Sequence, residues 1–447
     1  MSKNMLKFFA VLVITLVFIY AFSVSYTSDS IDNISYVVAL AVDVGKDEAN
    51  LQITFEFMDT SSFSKEGSSD SKTAIIDTVN ATSINSAINL LNAYIGKEVN
   101  LSHCKVVVFS DKLAKIGIQS EVSELMNNIQ VRPTTNIIIC KGSAMEYVQN
   151  SISNLEKVLT KYYDIFPNSS QYTGYTSNIQ IGNFYNYMTT KECGNVAILG
   201  GLNPTLSESN SSQEESSSGG SSSQSSSEAN SEESSSQETS GGENKQKPES
   251  NDSLSEMISG SAPILGERGT EDIGLAVLKD GVYLGDLTAS DTLCHTLISG
   301  EVNSFLLTIN NTEEYKYYLD IALFENTSPK ITVNIEDDIP VINIDIKVIG
   351  RISNIKNGIN YSDHSNDLNL DEISNIVDKS LENYIMGYLN KTTSEFKCDI
   401  DAFYNYAKHN FLTIKDWKNF DWSSKYQKSK FNICIESRVY YSLLNAD

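Results

Sequence analysis

Residues 34–57 read ISYVVALAVDVGKDEANLQITFEF. An apolar run from Ile34 to Val44 meets a polar turn at Gly45-Lys46-Asp47-Glu48. Leu51 to Phe57 then alternates apolar with polar. Two such runs, rich in β-branched and aromatic residues and split by turn formers, predict a β-hairpin. The next stretch has a different period. Ser83 is a candidate N-cap, Ile84, Ala87, Ile88, Leu91 and Ile95 follow at helical spacing, and Gly96 ends the pattern. Lys105 to Phe109 predicts a short buried strand, Ile116 to Asn128 a second helix, and Asn136 to Lys141 another strand. A hairpin combined with helix-separated strands predicts an α+β fold of mixed or antiparallel sheets with packed helices.

Ser151 to Thr190 is aromatic and polar without a clean period and reads as irregular or helical. Further on, Gly274 to Leu278 and Val282 to Leu287 flank a Lys279-Asp280-Gly281 turn. Phe305 to Ile309, Tyr318 to Phe324 and Ile331 to Ile335 predict strands. From Val341 to Ile349, Ile342, Ile344, Ile346 and Val348 share one face and Asn343, Asp345 and Lys347 the other. One wet face favours antiparallel pairing. Asp371 is expected to cap a long helix striped by Ile373, Ile376, Val377, Tyr384, Ile385, Tyr388 and Leu389. A helix with Ile400, Phe403, Tyr404 and Ala407 and a strand from Phe431 to Tyr441 close the chain.

The 447 residues are 40% hydrophobic and 20% charged, enough for real cores. A net charge of -24 argues against a nucleic-acid partner, because the chain has no surplus cations to replace phosphate counterions. Between Ser207 and Ser253 there are twenty Ser, ten acids and two Lys in forty-seven residues. Such a stretch has almost no apolar side chains to offset the entropy of ordering it. The expected organisation is an N-terminal segment 1–25, an α+β domain 26–204, a disordered linker 205–257, and an α+β region 258–447 whose internal boundary, if it has one, lies near 330.

The N-terminus carries Lys3 and Lys7, then the apolar run Phe8 to Val24. A cationic lead before an uncharged run predicts a secretory signal or a transmembrane anchor, with the rest of the chain outside the cytoplasm. Phe8, Leu12, Leu16, Phe18 and Phe22 are the expected anchor side chains. Seventeen helical residues span roughly 25 Å, against about 30 Å of hydrocarbon, and Met5 and Leu6 extend the run. Ala21-Phe22-Ser23 and Ser23-Val24-Ser25 offer cleavage spacing, so a cleaved signal stays open.

Chemistry-bearing motifs are scarce. No phosphate-binding Gly loop, dinucleotide fingerprint, zinc-protease helix or nucleophile elbow is present, so no catalytic residue, cofactor or metal is predicted. The four His are scattered. Asp367 to Asp371 opens like a calcium loop, but Glu372 stands where Gly is needed and Asp378 falls in the predicted helix. Trp417, Trp422, Phe420 and Tyr426 read as core, or else as an apolar ligand shelf. The six cysteines lack any C-x-x-C pair. Cys104, Cys140 and Cys434 read as small core residues, and one disulfide remains possible.

Several segments carry a family resemblance. Ser102-His103-Cys104-Lys105-Val106-Val107-Val108-Phe109 with Asp111 to Ala114 resembles a stretch of the Ger(x)C proteins, the C subunits of spore nutrient germinant receptors. Val131-Arg132-Pro133-Thr134-Thr135, Ile137 to Lys141 and Gly142-Ser143-Ala144 are similar to a second family stretch. Asp43, Gly274 to Gly281 with Leu284-Gly285, and Asp399, Phe403, Tyr406-Ala407, Trp417, Trp422 and Phe431 match three others. The resemblance implies a non-enzymatic subunit on the outer face of the spore inner membrane. It implies work beside a transporter-like polytopic subunit and a second membrane subunit, and an α+β fold in three domains. A secreted cell-envelope ligand-binding protein or hydrolase is the alternative. Family members usually carry an acylated Cys before Trp-Asp. Here that position falls near Ser25, with Tyr26 in place of the Trp, so lipidation is excluded and an uncleaved Phe8–Val24 helix is expected to replace it. The Ser/Glu segment is expected to let the two halves reorient.

Overall fold

The computed structural model describes residues 3–24, 33–47, 50–58, 74–151, 159–203, 256–261, 269–310, 318–356 and 370–440. The Ser/Glu-rich segment, Ser25, Tyr26 and Asp367 to Asn369 lie outside the described residues. Helix α1 (Lys3–Val24) leads the chain. Strand β1 (Ile34–Val44) pairs antiparallel with β2 (Leu51–Met58) as expected, and β3 (Ala74–Ala81) pairs with β2. Helix α2 (Ile84–Ile95) begins where Ser83 accepts the Ser86 N–H and stops at Gly96, which adopts the left-handed conformation. A short β4 (Glu98–Asn100) runs parallel to the start of β1, and β5 (Val106–Ser110) returns parallel to its middle.

The helix expected over 116–128 is α4 (Gln119–Asn127), and a separate helix, α3 (Asp111–Ile116), precedes it. Gly117 sits at φ 126 between them, and the next N–H, on Ile118, leaves the helix for Gly281 O at 2.9 Å. Then come β6 (Asn136–Cys140), α5 (Ala144–Asn150), α6 (Leu159–Ile165), α7 (Ser170–Thr173), α8 (Ile181–Met188) and β7 (Asn195–Leu202). Four parallel strands, β1-β5-β6-β7, form the sheet's centre, and every residue of β5 and β6 is buried. Both faces are covered, which is why these strands are near-continuous apolar runs. Val107, Phe109, Ile137 and Ile139 share a core with Leu91, Leu125 and Phe184; Val106, Val108 and Ile138 share another with Tyr147 and Tyr163.

The first sheet continues beyond the Ser/Glu segment. Strands β8 (Thr270–Lys279) and β9 (Val282–Leu287) add to its edge, with β8 antiparallel to β7. Asn203 N–H bonds Gly269 O at 2.9 Å, and Ser259 Oγ bonds Leu199 O at 2.8 Å. The segment expected to be a hinge between halves is therefore an insertion between two paired strands. Both its ends are pinned in one ladder, so it cannot swing one sheet against the other.

Helix α9 (Ala289–Ser299) leads to a second sheet of β10 (Ser304–Asn310), β11 (Tyr318–Glu336), β12 (Ile339–Lys356) and β13 (Lys430–Tyr440). Strand β11 runs unbroken through 330, where Lys330 pairs with Asp345, so no boundary lies there. Asp337 and Asp338, both at positive φ, turn the chain into β12. Ile342, Ile344, Ile346 and Val348 are buried and Asp345 and Lys347 exposed, as the alternation predicts. Pairing is antiparallel to β11 but parallel to β13, because a helical crossover separates β12 from β13. That crossover holds α10 (Leu370–Lys391), α11 (Tyr404–Ala407), α12 (Ile414–Phe420) and α13 (Trp422–Tyr426). Asp371 lies in the first turn of α10 rather than capping it. Cys434 is exposed on β13 rather than in the core: the two-residue period turns it to the wet face, while its neighbours Ile435 and Val439 face inward. All six cysteines are free.

Two glycines separate backbone strain from collision. A Cβ at Gly142 (φ 96) would meet nothing within 4 Å, whereas one at Gly274 (φ 92) would lie 2.4 Å from Leu287 O. Gly142→Ala should cost about 1–2 kcal/mol, and Gly274→Ala more than about 3 kcal/mol because β8 must also part from β9. Urea unfolding of both variants checks this, and equal costs would show that β9 yields freely.

Candidate functional site

The expected anchor residues lie on α1. Phe8, Leu12, Leu16 and Phe18 are 72%, 45%, 58% and 63% exposed; the Phe22 side chain is outside the described residues. Apolar residues surround α1 without a polar face. Counted on the described side chains, no helix is long and apolar enough to cross a membrane. In α1 the side chains of Lys3, Leu6, Ala10 and residues 21–24 are not among them.

The C-terminal aromatic set is core and not a surface shelf. Trp417, Phe420, Trp422 and Tyr426 are buried, with Trp422 5.9 Å from both Trp417 and Tyr426, ring to ring. Their polar atoms are spent on joining parts of the chain. Trp422 Nε1 donates to Asp399 Oδ2 at 3.0 Å, Trp417 Nε1 to Glu192 Oε1 at 3.1 Å, and Tyr426 OH pairs with Thr392 Oγ1 at 2.7 Å. Asp399 also accepts the Phe403 and Tyr404 N–H groups, while its own carbonyl accepts Gly194 N–H at 2.9 Å. Burial pushes the Asp399 carboxyl up to about 7, against the pull of those donors.

Beside it lies a second buried polar group. His295 on α9 bonds Asp401 Oδ1 through Nδ1 at 2.8 Å, and Tyr388 on α10 donates to the same carboxylate at 2.9 Å. Burial works to lower the imidazole's pKa, but the bond to Asp401 and its charge outweigh burial and raise it. Lys391 on α10 reaches Asp291 at 2.9 Å and Asp286 O at 3.0 Å, and Lys141 at the end of β6 reaches Asp286 at 2.8 Å. The junction thus clamps β9 and α9 of the first unit to α10 of the second. Sequence reasoning left His295 and Asp401 unassigned and read Tyr388 only as part of an apolar stripe. Partners 93 and 106 residues from His295 leave no local pattern.

A nucleophile is not assembled there. Cys294 is the neighbouring thiol, and burial raises its pKa well above that of a free thiol, so it stays protonated. Burial likewise drives Cys104, Cys193 and Cys398 up to about 12. Among the described residues, no three His, Cys, Asp or Glu come together as metal ligands would. Asp378, at the would-be twelfth position of a calcium loop, accepts Ser437 N–H at 2.9 Å and so ties α10 to β13. An apolar cleft between α9, α10 and β10, lined by Leu293, Leu297, Leu306, Leu381 and Tyr384, offers about 60 Å³. That holds one small apolar group, well short of the roughly 300 Å³ or more of ordinary ligand pockets.

The remaining motif residues are structural fasteners. Asp43, on β1, accepts Ala144 and Met145 N–H at 2.9 and 2.8 Å and so caps α5 from a distance of a hundred residues. Asp111 accepts Gly142 N–H at 3.2 Å. Exposed His103 lies edge-on to Tyr36, ring centres 4.5 Å apart. Phe403, stacked on Tyr426, and Ala407 are core, and Phe431 packs against both aromatic rings.

Two outcomes follow from the buried charges. His295→Ala leaves the buried Asp401 carboxylate without its imidazole partner and should cost about 3–5 kcal/mol by urea unfolding; a cost below about 1 kcal/mol would show the pair to be dispensable. Glu56, buried on β2 with one donor, Tyr163 OH at 3.0 Å, is pushed by burial from 4.5 up to about 7. The folded chain therefore keeps this proton while the unfolded chain loses it, and stability falls as pH rises from 4.5 to 7. Glu56→Gln should remove on the order of 3 kcal/mol of that fall and change nothing below pH 4.5. Unfolding free energies measured across the range test it; parallel profiles for parent and variant would refute it.

Comparison with known proteins places this architecture. Residues 28–202 match the family described as "Spore germination protein N-terminal domain", and residues 273–442 match "Spore germination B3/ GerAC like, C-terminal". YfkR of Bacillus subtilis (strain 168), a protein named for spore germination, is 26% identical over 125 residues, 27% of this chain. The match spans about a third of that relative's length, 33%. The crystal structure of the GerBC protein superposes at a TM-score of 0.48 with 14% identity, covering 90% of this chain and 96% of that one. Two family domains matched in order across most of the sequence make the chain a member of the Ger(x)C family of spore germination proteins.

Proposed function

We propose that the chain is a non-enzymatic, membrane-anchored subunit of a spore germinant receptor. In this reading α1 stays uncleaved in the spore inner membrane, and the two sheets lie on the outer face. They act there through contacts with a transporter-like polytopic subunit and a second membrane subunit in nutrient-triggered germination. The observation that carries the reading is α1 itself: a 22-residue helix whose described apolar side chains are exposed, leading a chain of a spore germination family. At about 1.5 Å per residue, 22 residues reach roughly 33 Å, enough for a hydrocarbon core of about 30 Å. The two sheets supply large binding surfaces, and the junction between them is spent on holding them together rather than on turnover. Domain limits follow the same reading: residues 1–25 are the anchor, and the Ser/Glu segment falls in sequence between β7 and β8.

A tagged copy in spore membranes should resist extraction by high salt and by alkaline carbonate, and a copy in which residues 1–24 are replaced by a cleavable signal should be released. After mild detergent, the intact protein should bring down two membrane partners, one of them polytopic. Recovery alone, in the salt wash, would overturn the reading.

A further inference from the structure

The start of β1 is tied to the membrane by a short leash, and the corner around it is dressed for lipid. The argument rests on the reading of α1 as an anchor. Ten Cα steps separate Val24 from Ile34 and reach at most about 35 Å even when extended. The end of the first sheet at which β1, β5 and β6 begin is therefore its membrane-proximal end.

At that corner three segments are fastened together. Strand β4 pairs with Ile34–Tyr36. Asn92 Oδ1, in the last turn of α2, accepts Val99 N–H at 2.8 Å, and Gln130 Oε1, in the turn after α4, accepts Leu101 N–H at 3.0 Å. The same pieces hold out apolar side chains that do nothing for the core. Ile129 is 99% exposed at the tip of a turn closed by Val131 N–H on Asn128 O, and Tyr94 is 81% and Leu90 54% exposed one helical turn apart on α2. Around them stand exposed Lys97, Arg132 and His103; Glu98 is exposed as well, and Lys105 is paired with exposed Asp164 at 2.9 Å. Arg132 and Lys105 lie near enough to His103 to help burial lower its pKa. In a chain of net charge -24, most of whose surface an anionic bilayer repels, this corner joins an aromatic, aliphatic side chains and cations.

We infer that this corner, Leu90, Tyr94, Lys97, Ile129 and Arg132, lies against the surface of an anionic lipid bilayer. Tyr94 and Ile129 enter the headgroup layer, where a ring with a polar tip and an aliphatic side chain are both favoured, and Lys97 and Arg132 face lipid phosphates. Docking sets the orientation of the first sheet above the membrane and leaves the second sheet free for protein partners.

Site-specific labelling tests this on the full chain, because five cysteines are buried and Cys434 alone is exposed. On a Cys434→Ser background, a fluorescent probe is placed at Ile129→Cys, or at Ile116→Cys, which is 67% exposed at the opposite end of the strands. The protein is reconstituted in vesicles of phosphatidylglycerol and phosphatidylcholine carrying nitroxide-labelled lipid. Quenching should be at least about threefold stronger at 129 than at 116, and Lys97→Glu with Arg132→Glu should weaken it while leaving flotation with the vesicles intact. Flotation without preferential quenching at 129 overturns the docking and leaves the anchor standing. Quenching that ignores the double charge reversal overturns the part assigned to Lys97 and Arg132. Protein that no longer floats after a high-salt wash overturns both the docking and the anchor.

Discussion

The antiparallel ladder between β7 and β8 is the constraint on which the rest of the molecule depends. It joins Asn195–Leu202 to Thr270–Lys279 across an insertion of sixty-seven residues. Bringing together strands so far apart in sequence costs chain entropy, and that cost grows only slowly with the length of the connection. Against it stand seven residue pairs on either side of a bulge between Ile198 and Gly200, and the burial of Ile198, Leu275, Ala276, Val277 and Leu278. Because β8 is held there, β9 and α9 emerge beside α10, and the clamp around His295, Asp401, Lys391 and Asp291 can form. Bonds that reach directly from the first half of the chain to the second, Gly194 N–H to Asp399 O and Trp417 Nε1 to Glu192 Oε1, reinforce the ladder.

The clamp shows how a chain of this composition joins two sheets. Its buried carboxylates are each held by several donors, which is the condition under which burial of charge is tolerated. Glu56, Asp399 and His295 share a direction: each holds its proton more tightly in the folded chain. For all three, stability is greatest on the acid side, and protonation also relieves the repulsion within a chain of net charge -24.

The residues that carry the resemblance are positions where backbone geometry leaves little choice. Asp43 caps a distant helix, Gly274 admits a carbonyl where any Cβ would collide, and Asp399 gathers three N–H donors. They fix how the two sheets are built.

Periodicity is a local property, so what depended on it was legible from residues alone. The β1–β2 hairpin, the capped helix after Ser83, the buried strands β5 and β6, the Lys279-Asp280-Gly281 turn and the alternating face of β12 could all be read within windows of a few residues. Solvent contact and backbone sterics set those patterns without reference to the rest of the chain. The apolar leader and the low-hydrophobicity insertion were legible for the same reason. Decisions made between distant residues belonged to the tertiary structure. It alone placed β8 in the first sheet, turned Cys434 outward, carried β11 through 330 and ended α3 at Gly117, after which the Ile118 N–H bonds Gly281 O. It also brought His295, Tyr388 and Asp401 together, because a carboxylate and an imidazole a hundred residues apart carry no mark of each other until folding removes the water between them.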